Sequence, residues 1–296
     1  MPDFPKITIV TPSFNQASFL AEALASVHAQ DYPNFEHIVI DGGSSDGSVD
    51  VIRRFEDRLA YWVSESDRGQ SHAINKGFDR ATGDILCWLN SDDLLEPGAL
   101  SRVARLLGKH VEPAWLIGAS RLIDETGRTR QVRTPGQVSF MSFLRWTVDW
   151  FPQQSTFWNR AMWQATCRVR EDLTYTMDMA LWHDMLVKAE PQVSTEVLAA
   201  YRIHEQAKCV SSSDLARQEQ SLLVREWLLA QLQDAYDKGD ANSEALSLVE
   251  KLVEDYTELH ETLALSEARL ARVRGHPVIG RFIRAWRALV NPGFDI

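Results

Sequence analysis

Four short apolar runs, each released into a polar cluster, occupy the first third of the chain and leave few folds open. Residues 7–12 (Ile-Thr-Ile-Val-Thr-Pro) read as a buried strand stopped by Pro12. Residues 36–41 form a second run that ends at Asp41-Gly42-Gly43, residues 59–63 a third, and residues 85–89 a fourth. Between them, residues 17–30 place Phe19, Leu20, Ala23, Leu24 and Val27 at helical spacing. A further helical stretch reaches about Phe55, and residues 71–81 read as a helix stopped at Gly83. Strands alternating with helices predict βαβ units and a largely parallel sheet. Such sheets bind ligands beyond the carboxyl ends of their strands. The clusters Thr11-Pro12-Ser13, Asp41-Gly42-Gly43, Glu65-Ser66-Asp67-Arg68 and Asn90-Ser91-Asp92-Asp93 all fall at those ends and so share one rim. No GxGxxG or Walker-type loop is present, which argues against a dinucleotide or P-loop site.

The fourth cluster carries the most chemistry. It closes the apolar run Ile85-Leu86-Cys87-Trp88-Leu89. Two adjacent carboxylates at a buried strand's exit are costly to desolvate without a counter-charge. Mg²⁺ or Mn²⁺ is the usual one for oxygen ligands, and such ions keep phosphate oxygens among their ligands. The motif suggests a phosphate-bearing substrate. The alternative role for Asp93 is a cap on the following helix, near Pro97.

Beyond residue 112 the alternation weakens. Residues 114–123 and 129–133 could pair as strands around Gly127, residues 177–189 have the spacing of an amphipathic helix, and residues 193–203 that of a strand. This half is expected to complete the cleft and present the acceptor side. Residues 214–236 read as helix, broken at Lys238-Gly239-Asp240. Val249, Leu252, Tyr256, Leu259, Leu263, Ser266, Leu270 and Val273 then alternate in steps of three and four. That is the seam of a coiled coil over 242–274, or of a helix packed on its own domain. A final short helix after Pro277 puts Val278, Ile279, Phe282, Ile283, Trp286 and Leu289 on one face and Arg281, Arg284 and Arg287 toward the other. Residues 275–291 therefore fit an anionic membrane surface, or a solvated helix packed on another helix.

The net charge of −10 argues against general nucleic-acid binding, which needs a cationic surface. Cys87, Cys167 and Cys209 are odd in number and far apart, which fits a reducing compartment and neither a disulfide framework nor a zinc site. The N-terminus has no apolar signal region, and no stretch is long and apolar enough to span a bilayer. The expectation is a soluble cytoplasmic protein, peripheral to the inner face of the plasma membrane if the basic end adsorbs there.

Six stretches, in order, resemble the family 2 glycosyltransferases, whose fold is GT-A. They are Ile9–Asn15, Val39–Gly47, Ser66–Gly77, Trp88–Asp93, Met177-Asp178 and Arg202-Ile203-His204. The likeness covers about residues 5–210. It implies an α/β fold with a Rossmann-like mixed sheet flanked by helices, and a C-terminal helical extension. Domain 1–212 would comprise a nucleotide-binding half (1–110) and an acceptor-side half (111–212), followed by helical residues 213–296. The resemblance implies an inverting transfer from a nucleotide-diphosphate sugar, UDP or dTDP favoured, to a hydroxyl of a saccharide or glycolipid acceptor. Cell-surface polysaccharide or lipid-linked glycan assembly is the context it suggests.

Residue by residue, Asp92 matches the last acid of the family's DxD motif and would hold Mn²⁺ or Mg²⁺ with His204. Asp178 matches the general base; the alternative is a helix cap. Thr11, Pro12 and Asp41 match base-binding positions, Arg68 could reach the base or the diphosphate, and Asn90 and Ser91 complete the donor site. Asp41 could instead simply hold the Gly42-Gly43 turn, and His204 could be a hydrogen-bonded structural residue. Asp93 and Asn75 are candidates for support. Trp158, Trp163 and Trp182 could stack on a sugar ring, with core packing the better role for at least two. Two positions depart from the family pattern: Asn90 stands where the first DxD acid is expected, and Met177 where a Glu often precedes the base. The rival readings are a sugar-phosphate nucleotidyltransferase, disfavoured by Pro12-Ser13-Phe14-Asn15 where a Gly-rich loop would sit, and a non-catalytic nucleotide-binding scaffold.

Overall fold

The computed structural model describes residues 4–136, 138, 151–205, 207 and 213–237. The chain divides into two compact units, Met1–Ser211 and Ser212–Ile296. The expected coiled-coil seam at 242–274 and basic helix at 275–291 lie outside the described residues.

The larger unit is built on one mixed sheet whose strands run in the order β3-β2-β1-β4-β8-β6-β9-β5, with β7 paired to β6. Strands β1 (Ile7–Ser13), β2 (Phe35–Asp41), β3 (Tyr61–Ser64) and β4 (Ile85–Trp88) are parallel neighbours, as their alternation with helices dictates. Helices α1 (Ala17–His28), α2 (Ser48–Arg53) and α3 (Gln70–Phe78) connect them. The third strand begins two residues later than its apolar run, because the Leu59 amide donates to the Glu56 carbonyl at 3.1 Å and closes a 3₁₀ turn over Glu56–Arg58.

The second half departs from the largely parallel sheet that the first half predicts. After β5 (Leu94–Leu95) and α4 (Ala99–Leu107) come β6 (Trp115–Ile123) and β7 (Thr129–Arg133), an antiparallel pair around Gly127. Strand β8 (Thr156–Asn159) inserts antiparallel between β4 and β6. Helices α5 (Arg160–Ala165) and α6 (Met177–Lys188) lead to β9 (Gln192–Arg202), parallel to β6 and antiparallel to β5. The β5–β9 pairing brings the chain just past β4 beside the end of β9. The smaller unit contains α7 (Ser213–Asp237).

Core lies on both faces of the sheet. On one, Ile7, Ile9, Ile85, Leu116, Phe157 and Leu198 pack with Val27 of α1 and Leu100 and Val103 of α4. On the other, Gly77 of α3 comes so near β1 that a Cβ there would lie 2.3 Å from Val10 Cγ1, so only glycine allows the approach. Trp88, Trp115, Trp158 and Trp182 are each no more than 1% exposed, and Trp88 stacks on Trp182 with centroids 5.5 Å apart. Trp158 and Trp182 are thus core, and Trp163 is half-buried against Phe78 at 4.6 Å.

Candidate active site

The exits of β1, β2 and β4 form one rim, and β5 and β9 bring residues 202–204 to it. Asp41 ends β2 and is wholly buried. Its Oδ2 accepts from the Gly43 amide (3.1 Å), the Ser44 amide (2.9 Å) and Ser64 Oγ (2.7 Å), and its Oδ1 accepts from Ser44 Oγ (2.6 Å). Gly43 adopts φ +84°, which glycine alone takes without strain, and this curls the turn around the carboxylate. The turn-holding alternative for Asp41 is therefore a role the geometry shows. Thr11 Oγ1 lies 2.9 Å from His37 Nε2 inside the core, so its side chain is committed there and the Thr11-Pro12 backbone is what meets the rim. Burial pushes His37 down to about 3, with the neighbouring His28 adding to the effect.

The exit of β4 meets the exit of β9. His204 Nε2 lies 3.0 Å from Asp92 Oδ2, with the His204 side chain 2% and the Asp92 side chain 21% exposed. The Phe19 ring centroid lies 4.7 Å from that of His204 and 4.9 Å from the Arg202 guanidinium carbon. Arg202 is fully buried at the strand end and is the hub of the junction. Its Nε donates to the Asp92 carbonyl at 2.9 Å, its Nη1 to the Glu125 carbonyl at 2.9 Å and its Nη2 to Glu22 Oε2 at 2.7 Å. Its backbone amide donates to Asp93 Oδ1 at 2.9 Å. Asp93 is fully buried, and burial first, then the adjacent Asp92 charge, hold its carboxyl well above the usual carboxylate range. Asp93 caps no helix: β5 follows it directly, and α4 begins at Ala99 after Gly98. The expected counter-charge beside the carboxylates is thus supplied in part by the chain itself.

Arg68 pairs with Glu171 at 2.5 Å. Asn75 clamps the following segment, donating to the Val169 carbonyl at 2.8 Å while its Oδ1 accepts from the Val169 amide at 3.1 Å. This fixes residues 169–171 ahead of α6. Asp178, half-buried, is the second residue of α6, and its Oδ1 accepts from the Met179 amide at 2.7 Å. The residue just before α6 is Thr176, which makes no side-chain cap bond. Ser91 is buried in the turn beside Asn90, whose carboxamide reaches Gln70 and Gln153.

Four residues escaped the sequence reading of roles. Ser13 Oγ, 4% exposed, has no hydrogen-bond partner among the described residues, an orphan at the rim. Phe14, 61% exposed, offers an aromatic face beside Gly42. Arg202 and Gln153 hydrogen-bond to residues of the Trp88–Asp93 segment. The signal for Arg202 was a cation closing an apolar strand, Val197–Arg202.

Among the described residues no group of three or more His, Cys, Asp or Glu stands ready to hold a metal. Asp92 and His204 bring a carboxylate oxygen and an imidazole nitrogen within 3.0 Å of each other, a mixed pair that fits Mn²⁺ better than the oxygen-seeking Mg²⁺ and that needs substrate phosphate oxygens to complete a shell.

The family model described as Glycosyl transferase family 2 matches residues 8–167. An uncharacterised glycosyltransferase of Mycobacterium tuberculosis is 37% identical over 166 residues, covering 55% of this chain and 62% of that protein. A PGL/p-HBAD biosynthesis glycosyltransferase of Mycobacterium bovis is 37% identical over 117 residues, 38% of this chain and 45% of the relative. The chain thus spans about three fifths or less of the length of these curated relatives. The crystal structure of S. aureus TarS 1–349 with UDP shares the fold at TM-score 0.59 and 16% identity, covering 96% of this chain and 90% of that one. The mannosyltransferase PcManGT of Pyrobaculum calidifontis, in complex with GDP-Man and Mn²⁺, gives 0.56 and 20%, covering 98% and 82%.

Proposed function

The chain belongs to glycosyl transferase family 2, and from that premise we propose that it is an inverting glycosyltransferase acting on a nucleotide-diphosphate sugar. The observation that carries the reading is the Asp92–His204 pair, set at the junction of two strand exits and backed by buried Arg202. UDP or dTDP is the favoured donor nucleotide; neighbours of the same fold were solved with UDP, UDP-GlcNAc and GDP-Man.

The nucleoside lies over the rim at Thr11, Pro12 and Asp41, with Phe14 as a stacking face and Ser13 Oγ as a donor still to be used. Engagement of the base by Asp41 requires Ser44 Oγ to release Oδ1. Arg68 reaches the diphosphate by exchanging Glu171 for phosphate oxygens. Ser91 and Asn90 line the turn. Asp92 and His204 would hold a divalent cation, whose chemistry when bound would be Lewis-acid neutralisation of the leaving diphosphate.

Asp178 takes the proton of the acceptor hydroxyl as that oxygen attacks the anomeric carbon. The bond from this carbon to the diphosphate oxygen breaks in the same displacement, the nucleoside diphosphate leaves, and configuration inverts. The half-burial of Asp178 at a helix start suits a base that must collect a proton from a bound hydroxyl. A saccharide or glycolipid acceptor, in polysaccharide or lipid-linked glycan assembly at the cytoplasmic face of a membrane, is the context proposed. No described helix is long and apolar enough to cross a membrane, and adsorption is assigned to residues 275–291. Association of two copies through 242–274 belongs to the same proposal.

The test is turnover across a panel of nucleotide sugars with Mn²⁺ or Mg²⁺, comparing the natural chain with Asp178→Asn. One donor should be turned over, and the variant should lose about 10²–10⁴-fold of the rate while still binding nucleotide. Undiminished turnover by the variant would remove Asp178 from the base role.

A further inference from the structure

A line of amides lies beneath the Asn90–Asp93 turn. Gln153 Nε2 donates to the Trp88 carbonyl at 2.9 Å, Asn90 Nδ2 donates to Gln153 Oε1 at 2.9 Å, and Gln70 Nε2 donates to Asn90 Oδ1 at 2.8 Å. The same Asn90 nitrogen lies 3.5 Å from Asp93 Oδ2. A main-chain carbonyl only accepts, so the Trp88 end fixes the sense of the whole line. Gln153 must turn its NH₂ toward Trp88 and its oxygen toward residue 90. Residue 90 therefore faces an acceptor on one side, Gln153 Oε1, and a donor on the other, Gln70 Nε2. A carboxamide matches that pattern, since its NH₂ carries two hydrogens and its oxygen accepts. An aspartate offers two oxygens where the carboxamide offers an NH₂, so it would face Gln153 Oε1 with a second acceptor and add a third carboxyl group beside Asp92 and Asp93. Gln153 is 9% and Asp93 0% exposed, so acceptors left unmet there are shielded from bulk water.

We propose that Gln153 is a positioning residue for the Asn90–Asp93 turn, and that asparagine is required at position 90 because it completes this amide relay. The relay ties three elements to one point: the first residue of α3, the exit of β4, and the 3₁₀ turn Gln153–Ser155 that leads into β8. It holds the turn from below while Arg202 holds it from the β9 side. The functional part of the proposal rests on the reading of Asp92 as a donor-site ligand. It also inverts the expectation for an acidic metal motif, in which Asp at 90 would add charge and strengthen cation binding.

The experiment compares N90D, N90A, Q153A and the N90A/Q153A pair by thermal unfolding and by titration of UDP in the presence of Mn²⁺. N90D should lower Tm by about 3–6 °C, and by more than N90A. It should weaken UDP binding about tenfold. The two alanine changes should be non-additive, with the pair close to the worse single variant. The alanine cycle keeps the test readable if N90D does not fold. N90D with Tm and UDP affinity at or above those of the natural chain, or an additive alanine cycle, would overturn the relay. A natural chain that fails to bind UDP while the cycle stays coupled would sink the donor-site reading and leave the relay standing.

Discussion

Asp41 and the Asp92–Asp93 pair end neighbouring parts of the same sheet, yet they meet burial in opposite ways. The Asp41 carboxylate is enclosed by neutral donors: two amides of its own turn and the hydroxyls of Ser44 and Ser64. At β4 the Asp93 carboxyl accepts from the backbone amide of Arg202 and the Asp92 carboxylate meets an imidazole, while the buried guanidinium binds the Asp92 main-chain carbonyl, and Asp92 keeps partial exposure. The first arrangement is a closed turn, stable without any ligand. The second sets Asp92, the one member that keeps partial exposure, against buried His204 and Arg202. The difference separates a carboxylate that shapes the rim from one with capacity left for chemistry.

The sharpest way to break this comparison is to remove Arg202. Arg202→Met leaves the Asp92 and Glu125 carbonyls without their donor, while Glu22 is 60% exposed and can turn to water, and should cost about 2–4 kcal/mol, read by denaturant unfolding. A loss under 1 kcal/mol would mean that the junction does not depend on it. Asp41→Asn faces an amide NH₂ toward the donors of the turn and should cost about 1–3 kcal/mol, with nucleotide affinity falling alongside stability. If affinity vanished at unchanged stability, Asp41 would be a ligand residue more than a turn residue. Ser64→Ala removes one of the four donors, and a drop of about 1 kcal/mol, or about 2–4 °C in Tm, is expected.

Acid should expose the same strand that carries Asp41. His37 on β2 is held down to about 3 by burial against an unfolded value of 6.5, so the unfolded chain takes a proton first and stability falls as pH drops from about 6.5 toward 3. Burial opposes charge on Glu36 as well, but bonds from Lys6, Thr8 and Thr82 prevail and bring its carboxyl down to about 2. Its contribution is full above 4.5 and fades as pH falls through about 2. His37→Asn should flatten the stability profile between pH 4 and 6.5 in urea unfolding; an unchanged slope would place the acid sensitivity elsewhere.

The parallel half of the fold was legible because its signals are local. Each of β1–β4 is a short apolar run bounded by a polar cluster, and Asp41 and Asp92 fall at run ends. What stayed hidden is non-local. Arg202 reaches Asp93 across 109 positions of sequence, and no periodicity announces such a bond. Strand β8, four residues inside a stretch rich in Gln, Ser, Thr and Trp, gives no alternation to read, and β5 has two residues. The same brevity hid Gln153, which a composition of amides marks as polar without saying what it holds. The Thr11 hydroxyl points the same lesson: a polar residue at a strand end read as rim, while the fold turned it toward His37.

The central claim is that the Asp92–His204 junction is the cation-dependent donor site. Titration of UDP into the natural chain and into Asp92→Asn, each with and without Mn²⁺, tests it directly. Binding by the natural chain that strengthens at least about tenfold with Mn²⁺, and a variant that loses this Mn²⁺ effect, is the predicted result. UDP binding that ignores Mn²⁺ and survives Asp92→Asn unchanged would contradict it.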